Sequence, residues 1–418
     1  MNSFRAARPG IRTDSELPAS FLADPEGTRA GSAPEATGIR KSAPVADRGA
    51  GSRKLVINGR FLTQPLTGVQ RYAREVVKAM DILAAERHGC ALRWTVELHH
   101  PPGEVRLDEY RHIRIVRTGK RTGHLWEQID LAASARGGLL LNLANTAPVF
   151  HPNVVGTIHD VGVFAQGAAY SASFRLPYRL MFRILARRAR RILTVSSFSA
   201  GEISRFCGAA ADTIAVAPNA ADHLGTTAEE PEIIERLGLR RKEFVLAVGS
   251  RNPLKNLSAV IQAFDLLGSD RPMLVIVGQQ SAAIFQNRNG GNDAARADHI
   301  VPTGEISDGE LRSLYRNARC LVFPSLYEGF GIPPLEAMQE GCPVIASASS
   351  AIPEVCGRAI LYCDPHSPRD IAAKIDGIGR DDDLRRRLIQ AGRLRSAQFS
   401  WRETALGIFN ELNELAPL

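Results

Sequence analysis

The chain is organised around the stretch LVFPSLYEGFGIPPLEAMQEGCPVIA, which extends from Leu321 to Ala346. It begins with an apolar run, LVF, of the length and content of a buried strand. A glycine-containing loop follows, and Pro333 and Pro334 fit the first turn of a helix, where a missing N–H costs nothing. The helix is expected to end near Gly341, after which PVIA predicts a second strand.

This strand–loop–helix unit predicts an anion-binding site. The free N–H groups of the first helical turn and the helix dipole favour a phosphate, and Gly329 and Gly331 let the backbone approach it closely. Glu328 lies just before the loop and Glu336 in the first turn of the helix, so we expect the two acids to bind what lies on either side of the phosphate. Carboxylates accept paired hydrogen bonds from vicinal hydroxyls, such as those of a sugar and a ribose. The alternative is a tight turn followed by ordinary helix-terminal acids.

The pattern P-S-x-x-E-G-F-G-x-P-x-x-E-A-M-x-x-G-x-P-V-I resembles the glutamate-pair motif of the retaining family 4 glycosyltransferases. The resemblance implies an α/β protein of the GT-B fold, with two Rossmann-like parallel-sheet domains facing a central cleft and a C-terminal helix that crosses back to the first domain. It also implies that Glu328 contacts the donor sugar, that Glu336 contacts the nucleotide ribose, and that the amides of Phe330 and Gly331 contact the diphosphate.

Composition places the chain among soluble globular proteins. Its 418 residues can bury two cores, and 44% hydrophobic and 23% charged residues are ordinary values for this class. The six cysteines lack CxxC spacing, which favours buried thiols in a reducing compartment over disulfides or zinc. There is no bilayer-spanning apolar run or signal-type segment, so we expect a cytoplasmic protein or one peripheral to the inner face of the plasma membrane.

The chain divides into four predicted segments. Residues 1–52 have no apolar period, which predicts a disordered tail; acidic residues disfavour the alternative of a transit peptide. Alternating strands and helices predict a parallel sheet in residues 53–225 and another in residues 226–398. Residues 399–418 predict an amphipathic helix. The resemblance makes the first sheet the acceptor side and the second the nucleotide-sugar donor side.

The loop TGVQRY follows the first predicted strand. Gly68 opens a helix there, so its free amides are expected to face a ligand group. The loop also resembles the family's first loop, which borders the donor phosphate and the acceptor. Arg71 then either adds charge at that place or lies on the helix surface.

His159 and Asp160 follow the apolar run VVGTI, at the carboxyl end of a predicted strand, where ligands gather in parallel sheets. A loop histidine is commonly structural, but the resemblance implies that His159 touches the donor sugar near the reacting carbon. Asp160 has two interpretations, either an acceptor contact or a partner that orients His159 through a ring N–H. Further along, the VSSFS run supplies Ser196 and Ser199, either as structural caps or as hydroxyls facing the cleft.

The segment from Phe174 to Arg191 carries seven arginines and no acid. Arg175, Arg179, Arg183 and Arg187 are four residues apart and therefore share a helix face. A basic helix with apolar neighbours fits an anionic membrane surface, and a solvated face over the domain core is the alternative. Nucleic acid is disfavoured because no recognised binding motif accompanies the charge.

Lys255 lies in the context P-x-K-N at a strand-to-helix loop, where a lysine can reach a phosphate as a point charge. A surface lysine is the alternative. The family often has an arginine directly after the preceding glycine or directly before the lysine; here those positions hold Ser250 and Leu254. Arg251 is the candidate replacement, and Ser250 is retained as a donor-side candidate.

No metal or resident cofactor is expected. The single Asp-x-Asp, at Asp381–Asp383, is better explained as helix capping than as a Mg²⁺ site. The glycine-loop amides, the helix dipole and Lys255 can stabilise the charge that grows on a leaving diphosphate. The resemblance therefore implies metal-independent transfer with retention, by front-face attack in which the leaving phosphate oxygen takes the acceptor proton. No nucleophile for a covalent intermediate is identifiable.

The run GRFLTQPLTGVQRY together with WEQ and PxKN resembles bacterial enzymes that build exopolysaccharide, capsule or O-antigen. The resemblance suggests mannose from GDP-mannose as the donor and a polyprenyl-diphosphate-linked sugar as the acceptor, although sugar and base are set by pocket shape. Two other functions are weighed against this. One is a different enzyme on the same fold, such as a nucleotide-sugar epimerase or a phosphorylase; the other is a non-catalytic nucleotide-sugar-binding protein.

Overall fold

The computed structural model describes residues 52–105, 110–250, 252–268, 271–278 and 299–415. The predicted disordered tail lies outside the described residues except for Ser52, and so does Arg251. Two sheets organise the rest, one of seven strands and one of six, and every pair of neighbouring strands in them is parallel. This is the α/β architecture that the alternating pattern predicts.

The first sheet has the strand order β3-β2-β1-β4-β5-β6-β7. Its strands are β1 Arg53–Asn58, β2 Trp94–His100, β3 Arg114–Arg117, β4 Leu139–Asn142, β5 Val154–Thr157, β6 Arg191–Thr194 and β7 Ile214–Val216. The central strands β4 and β5 are buried along their whole length, because helices cover both faces of a parallel sheet.

The helices of this half are α1 Gly68–Ala85, α2 Gly123–Leu125, α3 Ala132–Ser134, α4 Gly162–Ala165, α5 Ala172–Arg188, α6 Ser197–Cys207 and α7 Asp222–Thr226. The predicted helix near Trp126 to Ala133 is present. Its central turns, Trp126–Leu131, are π-helical and continue directly from α2 into α3.

The second sheet has the order β10-β9-β8-β11-β12-β13. Its strands are β8 Phe244–Val248, β9 Met273–Val277, β10 Ile300–Gly304, β11 Cys320–Phe323, β12 Val344–Ser347 and β13 Leu361–Cys363. Its described helices are α8 Glu232–Arg236, α9 Leu257–Leu266, α10 Asp308–Asn317, α11 Ile332–Gln339, α12 Ile352–Cys356, α13 Pro368–Arg380 and α14 Asp382–Ser396. Strand β11 lies at the centre of this sheet, so the loop after it opens from the middle of the carboxyl edge.

The C-terminal helix α15, Trp401–Leu415, returns to the first sheet, as the resemblance implies. The Trp94 indole of β2 donates a hydrogen bond of 2.9 Å to Asn413, and Arg191 of β6 pairs with Glu411 at 2.8 Å. A single apolar cluster extends from β1 through α15 to β11, so burial links the two halves. In the part of the chain that the structure describes, no helix is both long enough and apolar enough to cross a membrane.

Candidate active site

Two helix N-termini, one from each half, lie side by side at the glycine loop. Gly331 adopts a φ of +99° as the N-cap of α11, and no side chain caps that helix. Gly68 is the first residue of α1, whose N-cap Thr67 also makes no side-chain capping bond. A Cβ built on Gly68 would lie 3.5 Å from Ile332 at the start of α11. The unpaired amides and positive dipole ends of both helices therefore favour an anion at this place.

Glu336 lies in the second turn of α11, and its predicted place in the first turn was wrong. The helix begins at Ile332, directly after left-handed Gly331, so Glu336 is its fifth residue. The Glu336 carboxylate is buried and accepts a 3.0 Å hydrogen bond from the Tyr315 hydroxyl. Burial, followed by the charge of Glu336, raises the pKa of Tyr315. The phenol therefore stays a donor to this carboxylate.

His223 approaches the other oxygen of Glu336, with Nε2 3.3 Å from Oε1. The Trp401 indole donates a 3.2 Å hydrogen bond to Nδ1 of the same ring. Because an indole can only donate, Nδ1 is the acceptor and the ring carries its proton on Nε2, facing the carboxylate. The first residue of the crossing helix thus fixes the histidine beside Glu336.

Lys255 and Glu328 form an ion pair, with Nζ 2.7 Å from Oε1. The Lys255 amine also lies 5.2 Å from the centre of the ring of Phe323, the last residue of β11. Ser250 is exposed beyond the end of β8, where its Oγ accepts from the Asn252 amide at 3.4 Å. Lys255 is therefore half-buried and paired with Glu328, and its predicted contact with a phosphate stays a prediction.

His159 is buried, and its Nε2 lies 3.0 Å from the Leu143 carbonyl, which can only accept. The proton of the neutral ring is consequently on Nε2, and Nδ1 is an acceptor. The Tyr72 ring packs edge-on against it at 4.8 Å. Burial lowers the pKa of His159 to about 4, so the ring is neutral at physiological pH.

Asp160 does not orient His159, because the ring N–H of His159 donates to the Leu143 carbonyl instead. The Asp160 carboxylate accepts a 2.8 Å hydrogen bond from the Gly162 amide and faces the Lys255–Glu328 pair. Burial raises the pKa of Asp160, with Glu328 adding to the rise and the Gly162 amide and Lys255 opposing it. Its other predicted role, contact with an acceptor, stays a prediction for this partly buried acid beside two further charges.

The glycine loop is held against the first half by hydroxyls. Ser196 caps α6 by accepting from the Ser199 amide at 3.0 Å, and it also donates a 2.6 Å hydrogen bond to the Gly329 carbonyl. Ser199 donates to the same carbonyl at 3.2 Å. Ser196 is therefore the predicted cap of α6, and its buried hydroxyl also bonds the glycine loop. A Cβ on Gly329 would lie 2.6 Å from the His159 carbonyl oxygen, so glycine here permits close approach of the two halves.

One ion pair and one helix cap by a carboxylate also join the halves. Arg71 pairs with Asp308 at the start of α10, with Nη1 2.7 Å from Oδ2, so it is not a free helix-surface arginine. The Glu354 carboxylate accepts from the amides of Ser197 and Phe198 at 2.7 and 2.9 Å. An acid of one half therefore caps the helix of the other.

The arginine face of α5 is partly directed inward. Arg175 donates a 3.0 Å hydrogen bond to the Gly167 carbonyl, beyond the end of the short helix α4. Arg179 donates a 2.7 Å hydrogen bond to the Val163 carbonyl within α4. Arg183 and Arg187 are exposed, although the Arg183 guanidinium still lies 5.1 Å from the Phe164 ring. Of the four arginines, the first two therefore bond to backbone carbonyls of the first half and the last two are exposed, and the choice between a membrane surface and a solvated face stays a prediction.

Within the described ranges, no group of three or more histidines, cysteines or acids is arranged to hold a metal ion. Asp381 of the Asp-x-Asp accepts a hydrogen bond of 2.7 Å from the Leu384 amide and caps α14, as expected. Sequence reasoning missed Glu354, His223 and Tyr315 as neighbours of the site. No local pattern marks them, because each reaches the site from a distant segment.

Both halves match models of glycosyltransferases. The model "Glycosyltransferase Family 4" covers residues 66–223, and "Glycosyl transferases group 1" covers residues 229–395. O-antigen chain mannosyltransferase B of Escherichia coli is 30% identical over 376 residues, which cover 83% of this chain and 96% of that protein. The chain belongs to the family 4 glycosyltransferases. The resemblance carried by the glutamate-pair motif is thereby confirmed.

Solved structures show the fold of this glycosyltransferase to be GT-B. Sucrose-phosphate synthase from Thermosynechococcus elongatus superposes with a TM-score of 0.66 at 20% identity, covering 87% of this chain and 99% of that chain. Anabaena Alr3699/HepE, in complex with UDP and glucose, has a TM-score of 0.66 at 16% identity over 87% of this chain and 100% of that one. The predicted fold, with two facing parallel-sheet halves and a returning helix, is confirmed.

Proposed function

We propose that this glycosyltransferase moves mannose from GDP-mannose, with retention and without a metal, onto a lipid-linked glycan in O-antigen or a related polysaccharide. The observation that carries the proposal is the paired helix N-termini of α1 and α11, with Lys255 and Glu328 beside them. Such a place attracts a diphosphate flanked by hydroxyl-bearing groups.

In this proposal Glu336 binds the ribose and the amides of Phe330 and Gly331 bind the diphosphate. No hydrogen bond from either amide to another described residue is present. Glu336 keeps unused lone pairs beside Tyr315 and His223, which fix its orientation. Ser250 and the start of α1 at Gly68 border the diphosphate from its other sides.

Glu328 and His159 hold the donor sugar, and Lys255 stabilises the departing phosphate. Neutral His159 presents Nδ1 as an acceptor for a sugar hydroxyl. Lys255 can pass from Glu328 to the phosphate oxygen on which charge develops, so it acts most strongly in the transition state.

Transfer then proceeds at the front face of the sugar. The acceptor hydroxyl oxygen bonds to the anomeric carbon, the bond from that carbon to the phosphate oxygen breaks, and the hydroxyl proton moves to the departing phosphate oxygen. Asp160 lies beside Glu328 and Lys255, where it can accept a hydrogen bond from the incoming acceptor.

Mannose is chosen as the donor sugar because several of the relatives are named as mannosyltransferases, although two others are D-inositol 3-phosphate glycosyltransferases. The mannosyltransferases include the O-antigen chain mannosyltransferase RfbU of Salmonella typhimurium, which is 27% identical over 242 residues, 57% of this chain and 64% of that protein. A lipid-linked acceptor is favoured by an exposed apolar group on α5, formed by Phe174, Leu176 and Leu180, with Arg187 and Arg188 following it. Apolar side chains beside basic ones suit an anionic lipid surface, so we place the enzyme in the cytoplasm at the inner face of the membrane.

A donor screen tests the proposal. The enzyme is incubated with GDP-mannose, UDP-glucose or UDP-galactose and a bacterial lipid extract, and released GDP or UDP is measured with and without EDTA. We expect GDP release from GDP-mannose alone, unchanged by EDTA, and an α-linked product by NMR. Release of UDP only would contradict GDP-mannose as the donor. Inhibition by EDTA would contradict transfer without a metal, and a β-linked product would contradict retention.

A further inference from the structure

The beginning of the crossing helix α15 lies against residues of the proposed donor site. Phe399, two residues before the helix, packs its ring edge-on against the Phe330 ring of the glycine loop, with 5.6 Å between the ring centres. Trp401, the first residue of the helix, is buried. The segment that leads back to the first half therefore contacts the loop to which the diphosphate is assigned.

A chain of buried polar contacts leads from Trp401 to Glu336. The Trp401 indole donates a 3.2 Å hydrogen bond to Nδ1 of His223, whose Nε2 lies 3.3 Å from Glu336 Oε1. The Tyr315 hydroxyl donates to the other carboxylate oxygen at 3.0 Å. All four residues are at most 8% exposed, so bulk water competes little for these contacts.

The indole decides which nitrogen of His223 carries the proton. An indole N–H can only donate, so Nδ1 accepts and the neutral ring holds its proton on Nε2. This proton faces the carboxylate, although Nε2 makes no aligned hydrogen bond to a described residue. With the proton on Nδ1 instead, the ring would turn a lone pair toward Glu336 and repel it. The N–H of Trp401 therefore makes the contact between His223 and Glu336 attractive.

The segment that carries His223 is bonded to the same helix at two further points. The Asp222 carboxylate accepts from the Trp401 amide at 3.2 Å. The Thr404 hydroxyl donates to the Pro218 carbonyl at 2.7 Å. These bonds fix the position of His223 relative to α15, so the indole and the imidazole are held in register.

Trp401 also contacts the sugar side of the proposed site, but by ring packing alone. Its ring lies 5.9 Å from that of Tyr72, and Tyr72 packs against His159 at 4.8 Å. Ring packing needs an aromatic side chain and not an indole N–H. Loss of the N–H alone should therefore act on Glu336 and leave His159 in place.

We propose that Trp401 and His223 are positioning residues that hold Glu336 in the direction that pairs it with both hydroxyls of a nucleotide ribose. This inference rests on the proposed function, in which Glu336 binds the ribose. A carboxylate held in one direction loses a hydrogen bond when one of two vicinal hydroxyls is missing. The site should therefore prefer a ribonucleotide to its 2′-deoxy form, and this preference should depend on the Trp401 N–H.

The test measures nucleotide binding by calorimetry in the full-length wild type and in Trp401→Phe. The ligands are GDP, UDP and the 2′-deoxy form of each. Phenylalanine keeps a ring against Tyr72 but removes the N–H that bonds His223. We expect the wild type to bind the ribonucleotide at least about tenfold more tightly than its 2′-deoxy form, the value of one hydrogen bond to a charged group. In Trp401→Phe the preference should fall to about threefold or less.

Trp94→Phe is the matched control. It also removes a buried indole N–H that bonds α15, since Trp94 donates to Asn413 at 2.9 Å near the other end of the helix. It leaves the contacts of His223 and Glu336 as they are, so it should keep the wild-type preference. An equal fall of the preference in both variants would assign it to docking of the helix and overturn the proposed role of Trp401.

Two variants of His223 keep the test decisive if Trp401→Phe does not fold. Glutamine can keep an N–H that faces Glu336, so His223→Gln should retain part of the preference. His223→Leu has no such donor and should lose it. Nitrogen-15 NMR of the histidine rings reports the tautomer directly, with the His223 signals identified by their absence in His223→Gln. We expect the proton on Nε2 in the wild type and a mixture of tautomers in Trp401→Phe.

The outcomes separate positioning from a merely structural role. An affinity that falls equally for the ribonucleotide and its 2′-deoxy form in Trp401→Phe and His223→Leu overturns the inference, as does a wild-type His223 with its proton on Nδ1. A wild type that binds nucleotide without preferring the ribose overturns it as well. A wild type that binds neither GDP nor UDP removes the proposed function itself.

Discussion

Glu354 of one half caps the helix that begins at Ser197 in the other, with its Oε1 2.7 Å from the Ser197 amide. The two residues are 157 positions apart and belong to different halves. The capping bond therefore exists only when the halves are in contact. A cap of this kind both satisfies an unpaired amide and places negative charge at a positive helix end.

Glu354→Ala should therefore weaken closure. We expect a loss of about 1 kcal/mol in the free energy of unfolding, and a raised KM for the donor because both halves contribute to the proposed donor site. Urea denaturation and steady-state kinetics measure the two effects. Glu403→Ala, an exposed acid of α15, is the control. An unchanged stability and KM would show that the contact adds nothing to closure.

Lys255→Ala removes the charge that we assign to the departing phosphate and leaves Glu328 without its partner. We expect kcat to fall by about a hundredfold or more, since electrostatic stabilisation of the leaving group acts in the transition state. The rate of nucleotide release measures it. Lys374→Ala, whose amine lies 3.8 Å from Asp370 on a surface helix, should leave kcat unchanged. A Lys255→Ala enzyme with wild-type kcat would contradict the assignment.

Much of the fold was predictable because it depends on local patterns. The LVF run became β11, the paired prolines entered the first turns of α11, and a left-handed glycine stands on either side of that helix. Apolar runs, prolines and glycines act through the backbone of their own neighbourhood. The predicted position of Glu336 in its helix was wrong by one turn only, because the first residue of the helix is set by the φ angle of Gly331 before it.

The site's long-range pairs were not predictable. Arg71 and Asp308 are 237 residues apart, and nothing in TGVQRY or in the Asp308 helix indicates that they meet. Likewise, the inward direction of Arg179 follows from where α4 happens to pack. Periodicity assigns residues to a helix face, but only the tertiary arrangement decides what that face contacts. The segment boundaries predicted from composition remain predictions.

Gly329→Ala tests the close approach of the halves. The added methyl would lie 2.6 Å from the His159 carbonyl and 2.9 Å from the Asp160 Cβ, so the loop must move and its bond from Ser196 must weaken. We expect a loss of about 1–3 kcal/mol in the free energy of unfolding, together with lower activity.

Gly407→Ala is the matched control for that substitution, because nothing lies within 4 Å of the added methyl in α15. Alanine there should stabilise the helix by up to about 1 kcal/mol. Urea denaturation of both variants gives the comparison. Equal effects of the two substitutions would exclude a special steric role for Gly329.

The burial of His159 makes stability depend on pH in a defined direction. Its folded pKa of about 4 lies below the value of about 6.5 for an unfolded histidine. Between these values the unfolded chain binds more protons, so stability is lost as the pH falls and is fully present above the unfolded pKa. At pH 5 the loss from this residue is about 2 kcal/mol relative to pH 7. His159→Gln should therefore lose less stability from pH 7 to pH 5 than the wild type by about that amount, measured by urea denaturation at both pH values. His88→Gln, at an exposed histidine, should keep the wild-type pH dependence. If His159→Gln and the wild type lose stability equally, the buried neutral ring is not the source of the effect.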